Sequence, residues 1–483
     1  MLAIPANHPQ GGLFALFACV IIGSVFGAVL FGASWALAIP GALAVVWLTA
    51  MDIKKVFYLM LCSIPLSMEQ ALPGGFATDL PSEQFMWLLT LVGSAWLLRN
   101  WQTIDARFVR HPFSLLLLLH FSWILVTTVT SQDLYISVKY LLAKGWYLVV
   151  FYLLAGRFLD EERDLKDFIW CFFVPLLFAV VTVIVRHAAV GFTFEEVGFV
   201  MGPFFRNHVM YACLLAIFLP FVWYATYWYK RWSWKWMLLA VGILVLIIGI
   251  NFAYTRAAYV ALLAAVGIQW VVRRRWMKAA LIATGLVFAL FVSYVGTRDN
   301  WLQFTPEYEK AVTHRSFDQL LDATIKLEDI STMERVYRWV AASYMMKEHP
   351  FAGFGPATFY TFYKNYTVSS FKTYVSDNPE HSGIHNYYLM VTVEQGLPGL
   401  IIFLLFCVVV MLRGEKIYHL TPDPAMRRML VASLLCFSLT LLLMLMNDFL
   451  ETDKIGSLFF MSIAIMTNID LKNSRQQRSV GSH

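Results

Sequence analysis

Four arginines and three histidines stand where apolar runs begin or end. They are Arg206 and His208 in PFFRNHVMYACLLAIFLP, Arg256 in NFAYTRAAYVALLAA, Arg335 and Arg338 in STMERVYRWVAASYMMKEHP, and His381 and His385 in EHSGIHNYYLMVTVEQGLPGL. A guanidinium at the edge of hydrocarbon is costly unless it is paired, snorkels to the interface or serves a ligand. Arg335 and Arg338 are one turn apart and share a helix face. They fall early in their helix, where unpaired backbone N–H groups and two guanidinium forks make a cradle for phosphate. Ion pairs with Glu328, Asp329 or Glu334 are the plainer use of the same two side chains. His385 has the chemistry of a base at the membrane surface, or of a hydrogen-bonded structural imidazole.

His381 and His385 have the i, i+4 spacing of two metal ligands on a helix. Gly383 between them and Asn378-Pro379 before them oppose a helix, no Glu follows in the H-E-x-x-H manner, and no third ligand stands out,. No metal is therefore expected. The nearest approach to a D-x-D motif is Glu451-Thr452-Asp453, and neither a P-loop nor a G-x-S-x-G elbow occurs,. Nothing suggests a nucleotide site, and no cofactor is called for.

The elements that must position these residues are membrane spans. Hydrophobic residues make up 59% of the 483 and charged residues 14%, far from the composition of a soluble globular chain. The N-terminus MLAIPANHPQ carries no Lys or Arg, so the first apolar run is read as a retained span rather than a secretory signal,. Runs long enough to cross a bilayer fall near 12–31, 33–50, 55–72, 84–99, 112–130, 140–156, 167–186, 208–227, 236–252, 256–272, 278–296, 386–411, 429–447 and 455–469, fourteen in all. All six cysteines lie within apolar runs, so no disulfide framework is expected,.

Of the 37 Lys and Arg, 22 lie in alternate loops of one set, 6 at the short loops and span ends of the other, and 9 within 297–385. By the positive-inside rule both termini are cytoplasmic and 297–385 faces outward. The net charge of +6 thus reports topology, not nucleic-acid binding. The chain divides into a bundle over 1–296, an outer loop over 297–385, closing spans over 386–470, and a tail over 471–483 whose final Gly-Ser-His reads as a cloning scar. In the loop, Ser331 and Glu334 have capping-box spacing, and Pro350 ends the helix they open.

Three segments carry a resemblance. YTRAAYVALLAA is similar to a Ser/Thr-Arg-small-small span start, with its arginine at Arg256. ERVYRWVAASYMMKEHPFAGFGPATF is similar to an Arg-x-x-x-Trp helix followed by Pro and a Gly-x-Gly turn, with its arginine at Arg335. HNYYLMVTVEQGLPGL is similar to a His-Asn span start with Glu-x-Gly-Leu, with its histidine at His385. Together they resemble the O-antigen ligase family, membrane glycosyltransferases that include O-antigen ligases, some polymerases and protein O-oligosaccharyltransferases. The likeness covers roughly 200–411 by motif and the first 190 residues by hydropathy alone.

The resemblance implies an all-α polytopic fold of GT-C type in the bacterial inner membrane, with 12–14 spans and a periplasmic active site. It implies a glycan donor on undecaprenyl pyrophosphate and a lipid A–core sugar hydroxyl as acceptor, both met among membrane lipids. His385 would be the base, with Arg256, Arg335, Arg338 and Arg206 around the pyrophosphate and Asn386, His208, His381 and Glu394 in support. The reaction would be a metal-independent inverting displacement. A growing glycan or a protein would be the acceptor in the polymerase or O-oligosaccharyltransferase variants. A lipid or glycan transporter is the rival, and it would place ionisable groups near mid-membrane within paired broken spans.

Overall fold

The computed structural model describes residues 18–27, 38–72, 76–103, 105–297, 330–373, 375–378 and 382–480. His381, Glu328, Asp329 and the terminal Gly481-Ser482-His483 lie outside them. Among the described residues fifteen longer helices carry the architecture: α1 Ala18–Gly27, α2 Ala38–Met51, α3 Ile53–Ser63, α4 Ser82–Arg99, α5 Pro112–Val129, α6 Leu134–Phe158, α7 Glu162–Ala189, α8 His208–Ala225, α9 Trp234–Phe252, α10 Arg256–Arg274, α11 Met277–Gly296, α12 Ile330–Glu348, α13 Tyr387–Leu420, α14 Pro424–Leu443 and α15 Asp453–Val480. Among the described residues ten of these, α5 to α11 and α13 to α15, are long and apolar enough to cross a membrane. They coincide with the last ten runs expected from hydropathy.

The third expected run departs from a span. α3 stops at Ser63, and Met68–Leu72 (β1) pairs antiparallel with Phe76–Leu80 (β2), in register from Met68 opposite Leu80 to Leu72 opposite Phe76. Glu69 and Gln70 explain the departure, since a spanning helix would carry both into hydrocarbon. Among the described residues the fold is therefore helical with one hairpin.

Short polar residues start the helices. Asp52 accepts from the Lys54 amide at 3.1 Å, Asp133 from Ile136 at 3.1 Å, Asn207 from Met210 at 2.8 Å and Asn386 from Leu389 at 3.0 Å. Each satisfies a backbone donor that the first turn leaves open. The capping box expected at the loop helix does not form. α12 already includes Ile330, and Glu334 turns instead to the hydroxyls of Thr373 and Ser376. Pro350 follows the helix end as expected.

α8, α14 and α15 are the most enclosed spans, whereas α10 and α11 turn most of their apolar surface outward. At one end of the bundle, Asp470 accepts from Arg413 Nε at 2.7 Å and lies 3.0 Å from His111 Nε2, while Arg475 reaches Asp105 at 2.8 Å. The opposite end carries the hairpin, α12, the segment before α13 and the 444–452 turn. A small separate core, including Tyr337, Ala341, Met345, Phe354, Phe359 and Ile384, seats α12 there.

Candidate functional site

His385 sits one residue before the cap of α13 with a left-handed backbone, φ 56°. The segment that delivers it is held by α12. Arg338 Nη1 donates to the Gly383 carbonyl at 2.9 Å, and the Trp339 indole N–H donates to the next carbonyl, Ile384, at 3.1 Å. On its other side Asn386 donates its amide to Leu445 O at 3.1 Å, and the Tyr387 amide donates to Met444 O at 3.0 Å. His385 is thus clamped between the loop helix and the turn that joins α14 to α15.

Its environment is cationic and largely dry. Burial, then the Arg335 and Arg338 guanidinium groups, push the imidazole down to about 3, so it is neutral near pH 7,. Its Nδ1 is buried and has no hydrogen-bond partner among the described residues. A buried, unpaired ring nitrogen beside two arginines is an unfavourable resting arrangement that an anion would relieve.

The two arginines differ in use. Arg338 is 4% exposed, and besides Gly383 it faces Glu334 at 3.6 Å. Arg335 is partly exposed, with Nη1 on the Ser331 hydroxyl at 3.2 Å. The plainer ion-pair reading therefore holds for Arg338 with Glu334, while Arg335 acts on His385 through its charge.

Asp448, in the α14–α15 turn, was not singled out from the sequence. Its carboxylate packs so closely on Gly383 that a Cβ there would overlap it. Burial raises its proton affinity, while Arg338 and Arg206 oppose that rise. Asp448 thus feels the charge of both Arg338 and Arg206, whose Nε lies 3.7 Å from Glu69. The only signal in the sequence was an acidic residue closing an apolar run, and many such residues are solvated.

Arg256 and His208 are brought to each other's neighbourhood as helix starts. Thr255, just before Arg256, places its hydroxyl 3.5 Å from the His208 carbonyl. Glu394 has a structural role. It is 2% exposed and accepts from the Ala357 amide at 2.8 Å and the Phe359 amide at 3.2 Å. Gly396, two residues on, breaks α13 with φ 71°, and a side chain there would collide with Phe351. The Glu-x-Gly turn and the Gly-x-Gly loop therefore dock on each other.

Lys144 lies within α6 at 5% exposure. Glu451 neutralises it at 2.8 Å and also accepts from the Tyr140 and Tyr387 hydroxyls at 2.9 Å each. A buried charge survives only with such a partner set.

No curated protein matches the chain. Residues 241–404 match the family model described as O-Antigen ligase. That stretch holds Arg256, Arg335, Arg338, His385, Asn386 and Glu394, so this part of the chain is similar to the O-antigen ligase family.

Proposed function

We propose that the protein transfers a glycan from undecaprenyl pyrophosphate to a sugar hydroxyl of lipid A–core at the periplasmic face of the bacterial inner membrane. The carrying observation is His385 held between Arg338, through the Gly383 carbonyl, and the 444–445 turn, with its buried Nδ1 unpartnered among the described residues and its proton affinity lowered by burial, Arg335 and Arg338. A pyrophosphate at the arginines compensates the charge that holds the imidazole's proton affinity down. His385 then becomes a better base when the donor is present, and can take the acceptor's proton as its oxygen attacks the anomeric carbon. The C–O bond to pyrophosphate breaks in the same displacement, inverting that carbon. Arg335 stabilises the charge that collects on the departing pyrophosphate, while Arg338 holds the segment that carries His385,. Arg256 and Arg206, at the same end of the bundle, extend the basic margin toward the rest of the lipid-linked donor.

The test is purified protein in lipid nanodiscs, supplied with an undecaprenyl-pyrophosphate-linked glycan, with and without EDTA. Lipid A–core, a second lipid-linked glycan and a Ser/Thr peptide are offered separately. Glycosylated lipid A–core at a rate that EDTA leaves unchanged is the expected result. Extension of the second lipid-linked glycan alone reassigns the protein as a polymerase. Loss on chelation, restored by a divalent ion, overturns the metal-free mechanism.

A further inference from the structure

At the same end of the bundle as His385, a cavity of about 410 Å³ opens between the hairpin, the 203–206 segment and the start of α15. Its size falls within the range of about 300–1,000 Å³ typical of small-ligand sites. Its lining has two characters. Phe204 and Phe205 supply apolar surface, while Glu69, Asp79, Glu83 and Asp453 supply carboxylates. Flat apolar surface beside hydrogen-bond acceptors suits a pyranose ring, which has C–H faces and a hydroxyl edge.

The charges decide which rings fit. Glu451, also on the wall, is matched by Lys144 at 2.8 Å, Glu69 by Arg206 at 3.7 Å, and Asp453 by Lys454 at 4.0 Å with the Ser67 and Ser82 hydroxyls at 2.9 and 2.6 Å. Glu83 accepts from the Thr78 hydroxyl at 2.7 Å but faces no cation at ion-pair distance among the described residues. Asp79 likewise has no such cation, nor a side-chain hydrogen bond, among the described residues. Two carboxylates are left over, so the cavity is net negative once Asp79 ionises, above about pH 7. It repels phosphate, which separates it from the arginines around His385.

We infer that this cavity is a glycan subsite that takes a neutral or amino-bearing sugar ring and refuses a phosphorylated or uronic one. It rests on the glycosyl-transfer reading for its place in the reaction, and it puts sugar and pyrophosphate in separate compartments of one site. Burial and the neighbouring carboxylates push Asp79 up to about 7. Near neutral pH its carboxyl can therefore donate to a sugar oxygen as well as accept from a hydroxyl.

Binding is read by saturation-transfer NMR on the nanodisc protein, with trisaccharides ending in glucose, glucosamine or glucuronate. Glucose- and glucosamine-ended probes should bind, and the glucuronate-ended probe should bind at least about tenfold more weakly, as a like-charge penalty of roughly 1.4 kcal/mol or more requires. Asp79→Asn with Glu83→Gln should abolish that discrimination. If the double variant fails to fold, Glu83→Gln alone should reduce it. Equal binding of all three probes by the wild type overturns the subsite, as does undiminished discrimination in a folded variant.

Transfer kinetics identify the substrate that brings the ring. A raised KM for the acceptor at saturating donor assigns it to the acceptor, and a raised KM for the donor assigns it to the donor. A fall in kcat with both KM values unchanged overturns the subsite. If the wild type shows the binding pattern but transfers no glycan, the subsite stands and the reaction assigned under the proposed function falls.

Discussion

Arg338 donates to the carbonyl of Gly383 at 2.9 Å, two residues before His385. Its neighbour one turn earlier, Arg335, is partly exposed and acts on the imidazole through charge. On the proposed function the pair divides positioning, at Arg338, from donor binding, at Arg335. Arg338→Met should destabilise the protein by about 3 kcal/mol, because it leaves Glu334 without its buried cation and Gly383 without its donor. Arg335→Lys should leave thermal stability near wild type and raise the KM for lipid-linked donor about tenfold or more. Lysine keeps the charge but lacks the planar fork that grips two phosphate oxygens. Melting curves and donor titrations on the two variants check the division. Equal loss of stability in both would remove it.

His385→Asn is a sharper test of the base than an alanine. The left-handed backbone at φ 56° is one that asparagine tolerates better than most residues,. The variant should therefore fold and insert normally while transfer falls on the order of 100-fold or more. Residual transfer above about a tenth of wild type would take His385 out of the proton-transfer step.

Much of this site was legible because its parts are local. Asn386 caps the next helix from one position before it, and Arg335 and Arg338 share a face by spacing alone. Asp448 and the Lys144–Glu451 pair were not legible, because each depends on a contact across hundreds of residues or on a close approach that only Gly383 permits. The ten later spans follow from apolar length. The hairpin was hidden because β1 continues the apolar run that α3 begins, although Glu69, Gln70 and the Pro73-Gly74-Gly75 sequence mark the change,. Glu334 was misassigned for a related reason. Its spacing from Ser331 fits a cap, yet its partners Thr373 and Ser376 lie far along the loop.

Glu394→Gln should loosen the dock between α13 and the loop after α12. The carboxylate accepts from two backbone amides, Ala357 and Phe359. A neutral amide can present its single carbonyl to only one of them and turns an NH2 toward the other donor. A buried unsatisfied N–H costs about 1–3 kcal/mol. Hydrogen exchange at 353–359 should rise in the variant while exchange in α14 and α15 stays at wild-type levels. Unchanged exchange at 353–359 would remove Glu394 as the anchor of that turn.

The pH dependence of transfer should separate free enzyme from donor complex. With the proton affinity of His385 held down to about 3 by burial, Arg335 and Arg338, the free enzyme keeps a neutral imidazole well below the usual histidine range near 6.5. The acid limb of kcat/KM for donor should therefore show no histidine titration down to about pH 4.5. A bound pyrophosphate offsets the two guanidinium charges and favours the protonated ring, so the limb in kcat should lie at higher pH than that in kcat/KM. The same depressed value has a consequence for folding. The unfolded chain binds a proton on this histidine below about 6.5 and the folded one does not, so its contribution to stability is present above that pH and is lost as pH falls toward 3. Arg335→Gln removes one of the cations and should move the kcat/KM limb upward, a shift that a purely structural arginine would not produce. Identical limbs in kcat and kcat/KM, unmoved by Arg335→Gln, would show that the imidazole and the donor phosphate do not meet.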